Sequence, residues 1–218
     1  ICELDGTDAE VQHQIEKLRL ILDKNNAIQV RVATDAAERM QLWLGRKAAF
    51  PAVGRLAPDY YCMDGTIPRS ELAAVLAQIT KFSEQHGLDV ANVFHAGDGN
   101  LHPLILYDAN KAGEIERAEA FGADILNLCI EVGGTITGEH GVGVEKIDQM
   151  CIQFTPEELE LFHGVKSAFD ESRILNPGKA VPTLSRCAEF GAMHVHNEGS
   201  QQTHVGLNAQ KYSDLERF

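Results

Sequence analysis

Two short segments carry side chains whose types and spacing could do chemistry. The first is His95-Ala-Gly-Asp-Gly-Asn-Leu-His102, and the second is Gly138-Glu-His-Gly-Val-Gly143. Residues seven apart on one continuous strand point to opposite faces. Gly97-Asp98-Gly99-Asn100, however, is a turn sequence. If one strand ends at His95 and the next begins at His102, both imidazoles converge at the mouth of the turn. Two neutral imidazoles suit zinc and similar divalent ions. A carboxylate would complete three ligands and leave open positions, as in catalytic rather than structural sites. Glu139 is the candidate, because its glycine-rich surroundings allow close backbone approach. His140 follows directly. Neighbours in extended chain point in opposite directions, so one can hold an ion while the other faces a substrate as a base. An imidazole suits proton transfer near neutrality. The same residues also have a plainer reading. A histidine pair can be structural, Asp98 and Asn100 can serve only turn hydrogen bonds, and the glycines only loop geometry.

Bringing these residues together requires particular elements. Segments 90–96 and 101–107 are expected as strands of a hairpin around the turn. Upstream, 1–6 reads as a strand. Asp8 opens a helix with Val11, Ile15, Leu18 and Leu22 on one face, ended by Asn25-Asn26. Segment 27–33 (AIQVRVA) alternates apolar and polar like a half-buried strand. Thr34 opens a helix to about residue 50, where Pro51 should stop it. After a loop over 51–59, residues 60–67 read as a strand. A helix from Pro68 and Ser70 to Gly87 follows, with Leu72, Val75, Leu76 and Ile79 inward. Segment 111–132 is a long helix. Residues 133–143 hold five glycines, and helices are expected over 144–152 and 156–171. Beyond Asn176-Pro177-Gly178 the chain reads as irregular, and from about Glu198 it is a polar tail of disordered character. The fold class is α+β: an antiparallel sheet with helices on one face, of ferredoxin-like kind, with a helical C-terminal part from about residue 144. One domain is expected over 1–197. No dinucleotide or P-loop fingerprint is present.

Bulk properties limit the partners. The 218 residues suffice for a sizeable core, and 44% hydrophobic with 23% charged residues is an ordinary globular composition. The net charge of −13 repels nucleic acid and anionic membranes. It also repels a small anionic substrate, so a carboxylate site needs local positive charge. No apolar run approaches the roughly 20 residues of a membrane helix, and no secretory signal is seen. Cys2, Cys62, Cys129, Cys151 and Cys187 are widely spaced and odd in number, which reads as reduced, cytoplasmic thiols rather than a disulfide framework. The chain starts at Ile1, and ICELDG reads as a strand already inside a fold, so a longer parent protein is expected.

HAGDGNLHPLI, GGTITGEHGVG and ILNPGK, in that order, resemble the C-terminal domain of the FAD-linked 2-hydroxyacid oxidases and dehydrogenases. GRKAAFPAVGRLAPDYYCMDGTIPR and RCAEFGAMHVH bring the resemblance closest to the flavin-carrying subunits of bacterial glycolate oxidases. It covers about residues 1–196. It implies an N-terminal FAD domain that is absent from this sequence, so that this chain alone neither holds FAD firmly nor turns over. It implies His95, His102 and Glu139 as ligands of a divalent metal (zinc, or manganese or iron). His140 would be the catalytic histidine that takes the hydroxyl proton, and Arg46 would grip the substrate carboxylate. Asn176 and Lys179 of NPGK either cap a helix end or meet the flavin domain; the second is preferred. The implied reaction oxidises a small 2-hydroxy acid to the 2-oxo acid by hydride transfer to flavin.

Two positions depart from relatives that oxidise D-2-hydroxyglutarate. Leu104 stands where those have Asn, and Cys62 lies near the place of a Lys. Both changes remove polar groups that could hold a second carboxylate, whose burial unpaired is costly. A monocarboxylate, glycolate or D-lactate, is therefore favoured. Further subunits, including an iron-sulfur one, are implied as partners, with membrane association only through them. Two other functions remain open on the residues themselves: a non-catalytic module that binds metal and hydroxyacid, and a metal-dependent hydrolase, which the lack of an HExxH helix weakens. Without the resemblance, Arg46 would read as a surface ion-pair residue, Arg55 and Arg69 as solvated charges, and Tyr60 and Tyr61 as packing. His163, His194 and His196 are not assigned to the metal.

Overall fold

The computed structural model describes residues 1–183 and Cys187. The chain divides into two compact units, Ile1–Arg55 and the part from Leu56 onward. The expected tail, His194 and His196 lie outside the described residues.

The first unit holds α1 (Asp8–Lys24), α2 (Ala36–Lys47) and α3 (Ala49–Val53). Thr7, not Asp8, caps α1: its hydroxyl accepts from the Glu10 amide while the Glu10 carboxylate accepts from the Thr7 amide at 2.8 Å. Asp35 caps α2 through the Glu38 amide at 2.8 Å. The expected strands over 1–6 and 27–33 do not form. The alternation over 27–33 is real, but a strand requires a neighbour to satisfy its amides, and the described part of this unit offers only helices. Pro51 does not end helical structure either. It occupies the first turn of α3, where a missing amide costs no hydrogen bond.

The second unit carries the sheet. β1 (Asp59–Cys62), a single 3-10 turn (Arg69–Glu71), α4 (Leu72–His86), β2 (Val90–His95), β3 (Asn100–Tyr107) and α5 (Glu114–Glu131) follow in order. The strands lie β1-β3-β2, all antiparallel. β1 and β2 flank β3 and are joined across it by α4, the split β-α-β arrangement. This bears out the antiparallel sheet with helices on one face. β1 is shorter than expected. It stops at Cys62, but pairing resumes at Thr66, which bridges Asn100 on one side and Thr135 on the other. Gly87, left-handed at φ 63°, ends α4.

Alternation along the strands sorts the side chains. Leu101 and Ile105 of β3, with Met63 after β1, pack against Val75 and Ile79 of α4 and Phe121, Ile125 and Cys129 of α5. Burying each large apolar side chain contributes roughly 1.5–3 kcal/mol. The opposite face carries Cys62, Asp64, Asn100, His102 and Leu104. The last four are also buried, with the 135–146 segment bonded against this side. Two helices complete the described chain, α6 (Ile147–Gln153) and α7 (Pro156–Phe169). The second is opened by a Thr155–Glu158 capping box with Pro156 at its first position.

Cys151 of α6 is bonded to Cys187, which corrects the expectation of five reduced thiols. Their Cα atoms are 5.1 Å apart, within the usual disulfide range, although 36 residues separate them and no spacing motif announces the pair. Cys2, Cys62 and Cys129 are free.

Candidate active site

The turn between β2 and β3 brings the two histidines together as expected. The amides of Asp98 and Gly99 both donate to the His95 carbonyl, at 3.1 and 3.0 Å. Gly99 adopts φ 74°, and a Cβ there would fall 2.1 Å from the Ile67 carbonyl oxygen, so no other residue fits without moving the backbone. His95 then pairs with Asn100 across the hairpin, and the His95 and His102 rings meet edge to face, centroids 5.5 Å apart. His102 is held on its far side. Its Nδ1 lies 3.3 Å from the Met63 carbonyl. A carbonyl only accepts, so this contact places the proton on Nδ1 and leaves the Nε2 lone pair toward the opening.

Glu139 arrives from the loop after α5. Its Oε1 lies 3.8 Å from His95 Nε2, and its Oε2 lies 3.6 Å from His102 Nε2. One ligand atom from each of His95, His102 and Glu139 lies within 4.8 Å of the others. Metal bonds of about 2.0–2.2 Å hold ligand atoms roughly 3–3.5 Å apart, so a small closure would complete the set. The donor set, two nitrogens and a carboxylate, suits zinc, manganese or iron. The His95 and Glu139 side chains are 41% and 55% exposed, against 4% for His102, so such a site opens on one side. Asn100 Nδ2 is buried on the same sheet face and has no partner among the described residues, a donor left over beside the histidines.

His140 lies nearly parallel to His102, ring centroids 5.2 Å apart. With Asp64 it forms a second possible cluster around His102. Asp64 is a residue of this cluster that sequence reasoning missed. It is fully buried. Its carboxylate accepts from the Thr137 hydroxyl (2.7 Å), from the amides of Gly138 (3.1 Å), Glu139 (3.1 Å) and His140 (2.9 Å), and from Lys146 Nζ (3.3 Å). Burial pushes its pKa up most strongly, but the hydrogen bonds from Thr137, His140 and Glu139 and the Lys146 charge together hold it well below the usual carboxylate range. In the sequence, Asp64 falls within the segment 60–67 that reads as a strand, with nothing to mark it as a site residue.

The remaining expected residues belong to other segments. Arg46 sits in the last turn of α2 in the first unit, where its charge complements the C-terminal carbonyls. Asn176 adopts a left-handed conformation, φ 46°, and no helix ends there. It lines a cavity of about 440 Å³ with Lys166, Arg173 and Lys179. Leu104 and Cys62, the two departures from hydroxyglutarate-oxidising relatives, are direct cross-strand partners. Burial, with Asp64 and Glu145 nearby, pushes the Cys62 thiol up to about 11.

Residues 1–180 match the family described as FAD linked oxidases, C-terminal domain. The chain belongs to this family. This FAD-linked oxidase domain is 62% identical to glycolate oxidase subunit GlcD of Escherichia coli over 197 residues, 90% of the chain and 40% of that subunit. It is 38% identical to glycolate oxidase subunit GlcD of Bacillus subtilis over 82% of the chain and 38% of the subunit. It is 31% identical to the mitochondrial D-lactate dehydrogenase (cytochrome) of Arabidopsis thaliana over 83% of the chain and 32% of the enzyme. The domain thus spans about two fifths or less of the relatives it matches. Its fold is shared with a solved structure of 4-ethylphenol oxidase from Gulosibacter chungangensis in complex with isoeugenol, at TM-score 0.56 and 18% identity, over 81% of this chain and 38% of that one.

Proposed function

We propose that this FAD-linked oxidase domain is the substrate- and metal-binding part of an enzyme that oxidises a small 2-hydroxy acid, glycolate or D-lactate, to the 2-oxo acid. The observation that carries this reading is His140 stacked beside His102 at the exposed edge of the His95–His102–Glu139 cluster, in a chain whose relatives are glycolate oxidase subunits and D-lactate dehydrogenases.

His95, His102 and Glu139 hold a divalent ion, zinc or else manganese or iron. When bound, the ion supplies charge stabilisation at the substrate oxygen and FAD supplies the hydride acceptor. His140 takes the hydroxyl proton, and its fixed stacking spares the reorganisation a mobile base would need. Arg46 pairs with the substrate carboxylate, supplying the local positive charge that an acidic chain otherwise lacks. Cys62 opposite Leu104 offers a second carboxylate no strong partner, which favours monocarboxylates. FAD is bound mainly by residues outside this chain, with Asn176 and Lys179 toward the flavin domain. Other glycolate oxidase subunits, including an iron-sulfur one, are the expected protein partners. No described helix is long and apolar enough to cross a membrane, and a cytoplasmic setting with membrane association through partners fits the reading.

The test is the full-length flavoprotein, loaded with FAD and metal, mixed anaerobically with glycolate or D-lactate. Bleaching of the flavin is expected, slowed roughly 10²–10⁴-fold in His140→Asn at unchanged flavin content. A fully loaded protein that neither acid reduces rules the reading out.

A further inference from the structure

The Asp64 carboxylate does more than fill a buried position. The loop from Thr137 to His140 presents three consecutive amides to it, along with the Thr137 hydroxyl. The Gly138 amide also donates to the Asp64 carbonyl at 2.9 Å, and the Gly141 amide to Thr137 Oγ1 at 2.8 Å. The segment around Asp64 reaches the histidines as well. Met63 supplies the carbonyl that fixes the His102 ring, and the Leu101 amide donates to the Gly65 carbonyl at 2.8 Å. Three consecutive residues of one strap therefore touch both halves of the cluster: the hairpin through Met63 and Gly65, and the loop through Asp64. Lys146, itself buried, balances the charge and lies just before α6. A buried carboxylate requires such partners, because an isolated one is too costly to keep ionised.

We infer that Asp64 is a positioning residue, which sets the 138–140 backbone so that Glu139 and His140 face His102 before any ion arrives. It acts on Glu139 and His140 through their amides, as the outer partners of metal ligands do. The inference deepens the metal reading proposed above and rests on it for its consequence in metal affinity. The carboxylate is suited to the task because it only accepts. An Asn would turn an NH2 group toward amide donors and lose at least one of these bonds.

The experiment uses the full-length FAD-loaded protein with three variants, Asp64→Asn, Lys146→Gln and the double variant. Each is titrated with zinc against a chelator, and with cobalt for its absorption spectrum. Hydrogen exchange over 137–141 is followed in the metal-free state by mass spectrometry. Asp64→Asn is expected to weaken zinc binding roughly 10–100-fold, alter the cobalt spectrum and speed exchange in the loop, at unchanged flavin content. The double variant removes both buried charges and should recover thermal stability without recovering zinc affinity, a separation that a merely structural role would not give. Wild-type zinc affinity and cobalt spectrum in a folded Asp64→Asn protein overturn the inference. Should Asp64→Asn not fold, the wild type still decides: slow exchange of the 138–140 amides without metal supports the preset loop, and fast exchange overturns it. A wild type that takes up no ion defeats the metal reading instead, while loop exchange continues to judge Asp64.

Discussion

His102 Nε2 and Glu139 Oε2 stand 3.6 Å apart, one from a side chain almost wholly buried in the sheet, the other from one more than half exposed on a loop. The histidine is fixed by packing and by the Met63 carbonyl. The glutamate's backbone is held by Asp64, while its side chain stays free to move onto an ion. His95, 41% exposed, resembles Glu139 more than His102 in this respect.

That asymmetry ranks the proposed ligands. A water can replace an exposed ligand more easily than a buried one, so His102→Ala should lose zinc affinity by more than about 100-fold, beyond the loss of an outer partner, and His95→Ala should lose less. Chelator competition on the purified chain measures both. Wild-type affinity in His102→Ala would remove this histidine from the ligand set.

Metal removal should leave the fold standing. The core of Met63, Phe121, Ile125 and Leu101 lies on the helix-covered side of the sheet, away from the cluster. Zinc at a hundred times its dissociation constant adds about 2.7 kcal/mol, a rise in Tm of about 5–10 °C for a domain of this size. A chelator should reverse the rise without unfolding the protein at 25 °C, as read by circular dichroism. Loss of helical signal on chelation would show that the ion is part of the fold.

Gly138, next to Glu139, is a tight point of its loop. A Cβ there would lie 2.5 Å from Thr66 Oγ1 and 2.8 Å from Asn100 Cγ. Gly138→Ala should destabilise by about 1–3 kcal/mol through overpacking and should also lower zinc affinity, because the displaced backbone carries Glu139. Thermal melts with zinc titrations check both effects. An alanine variant with wild-type Tm would mean that the loop has slack.

Much of this site was legible where the signal is local. The Gly-Asp-Gly-Asn turn fixes how His95 and His102 meet, so two strands and the meeting of two histidines followed from eight residues. The glycines around Glu139 told of close approach, and Gly138 makes it. Asp64 was not legible, because its donors lie more than 70 residues onward in the chain and nothing in Met-Asp-Gly-Thr marks a buried carboxylate. The Cys151–Cys187 bond was not legible either, because its partners lie 36 residues apart with no spacing motif between them. Segments 1–6 and 27–33 failed differently. Alternation was present over 27–33, but whether a strand forms depends on an edge to pair with, which a local pattern does not record.

The thiols should react in a fixed order. Cys2 is exposed, Cys62 is half-buried with its thiol at about 11, and burial, which is the main cause, pushes Cys129 up to about 12. At pH 8 only Cys2 should be alkylated rapidly in the native chain. Denaturant without reductant should expose three thiols, and reductant should raise the number to five. Intact mass after iodoacetamide counts them. Five thiols without reductant would contradict the Cys151–Cys187 bond.

The start of α2 should resist acid. The Glu38 carboxylate accepts from the Thr34 amide at 3.0 Å, the Arg31 guanidinium at 3.0 Å and the Thr34 hydroxyl at 2.9 Å, and its pKa is lowered to about 2. The Thr34 amide is the largest cause, followed by the hydrogen bonds from Arg31 and the Thr34 hydroxyl. A depressed carboxylate contributes stability that is fully present above its unfolded pKa, about 4.3, and is lost as pH falls from there through the folded value. The Glu38 carboxyl carbon, followed by NMR, should therefore titrate near pH 2. Glu38→Gln should weaken the pH dependence of stability between about 4.3 and 2 while leaving the Asp35 cap in place. A midpoint above 4 would mean that the Thr34 and Arg31 contacts do not persist in solution.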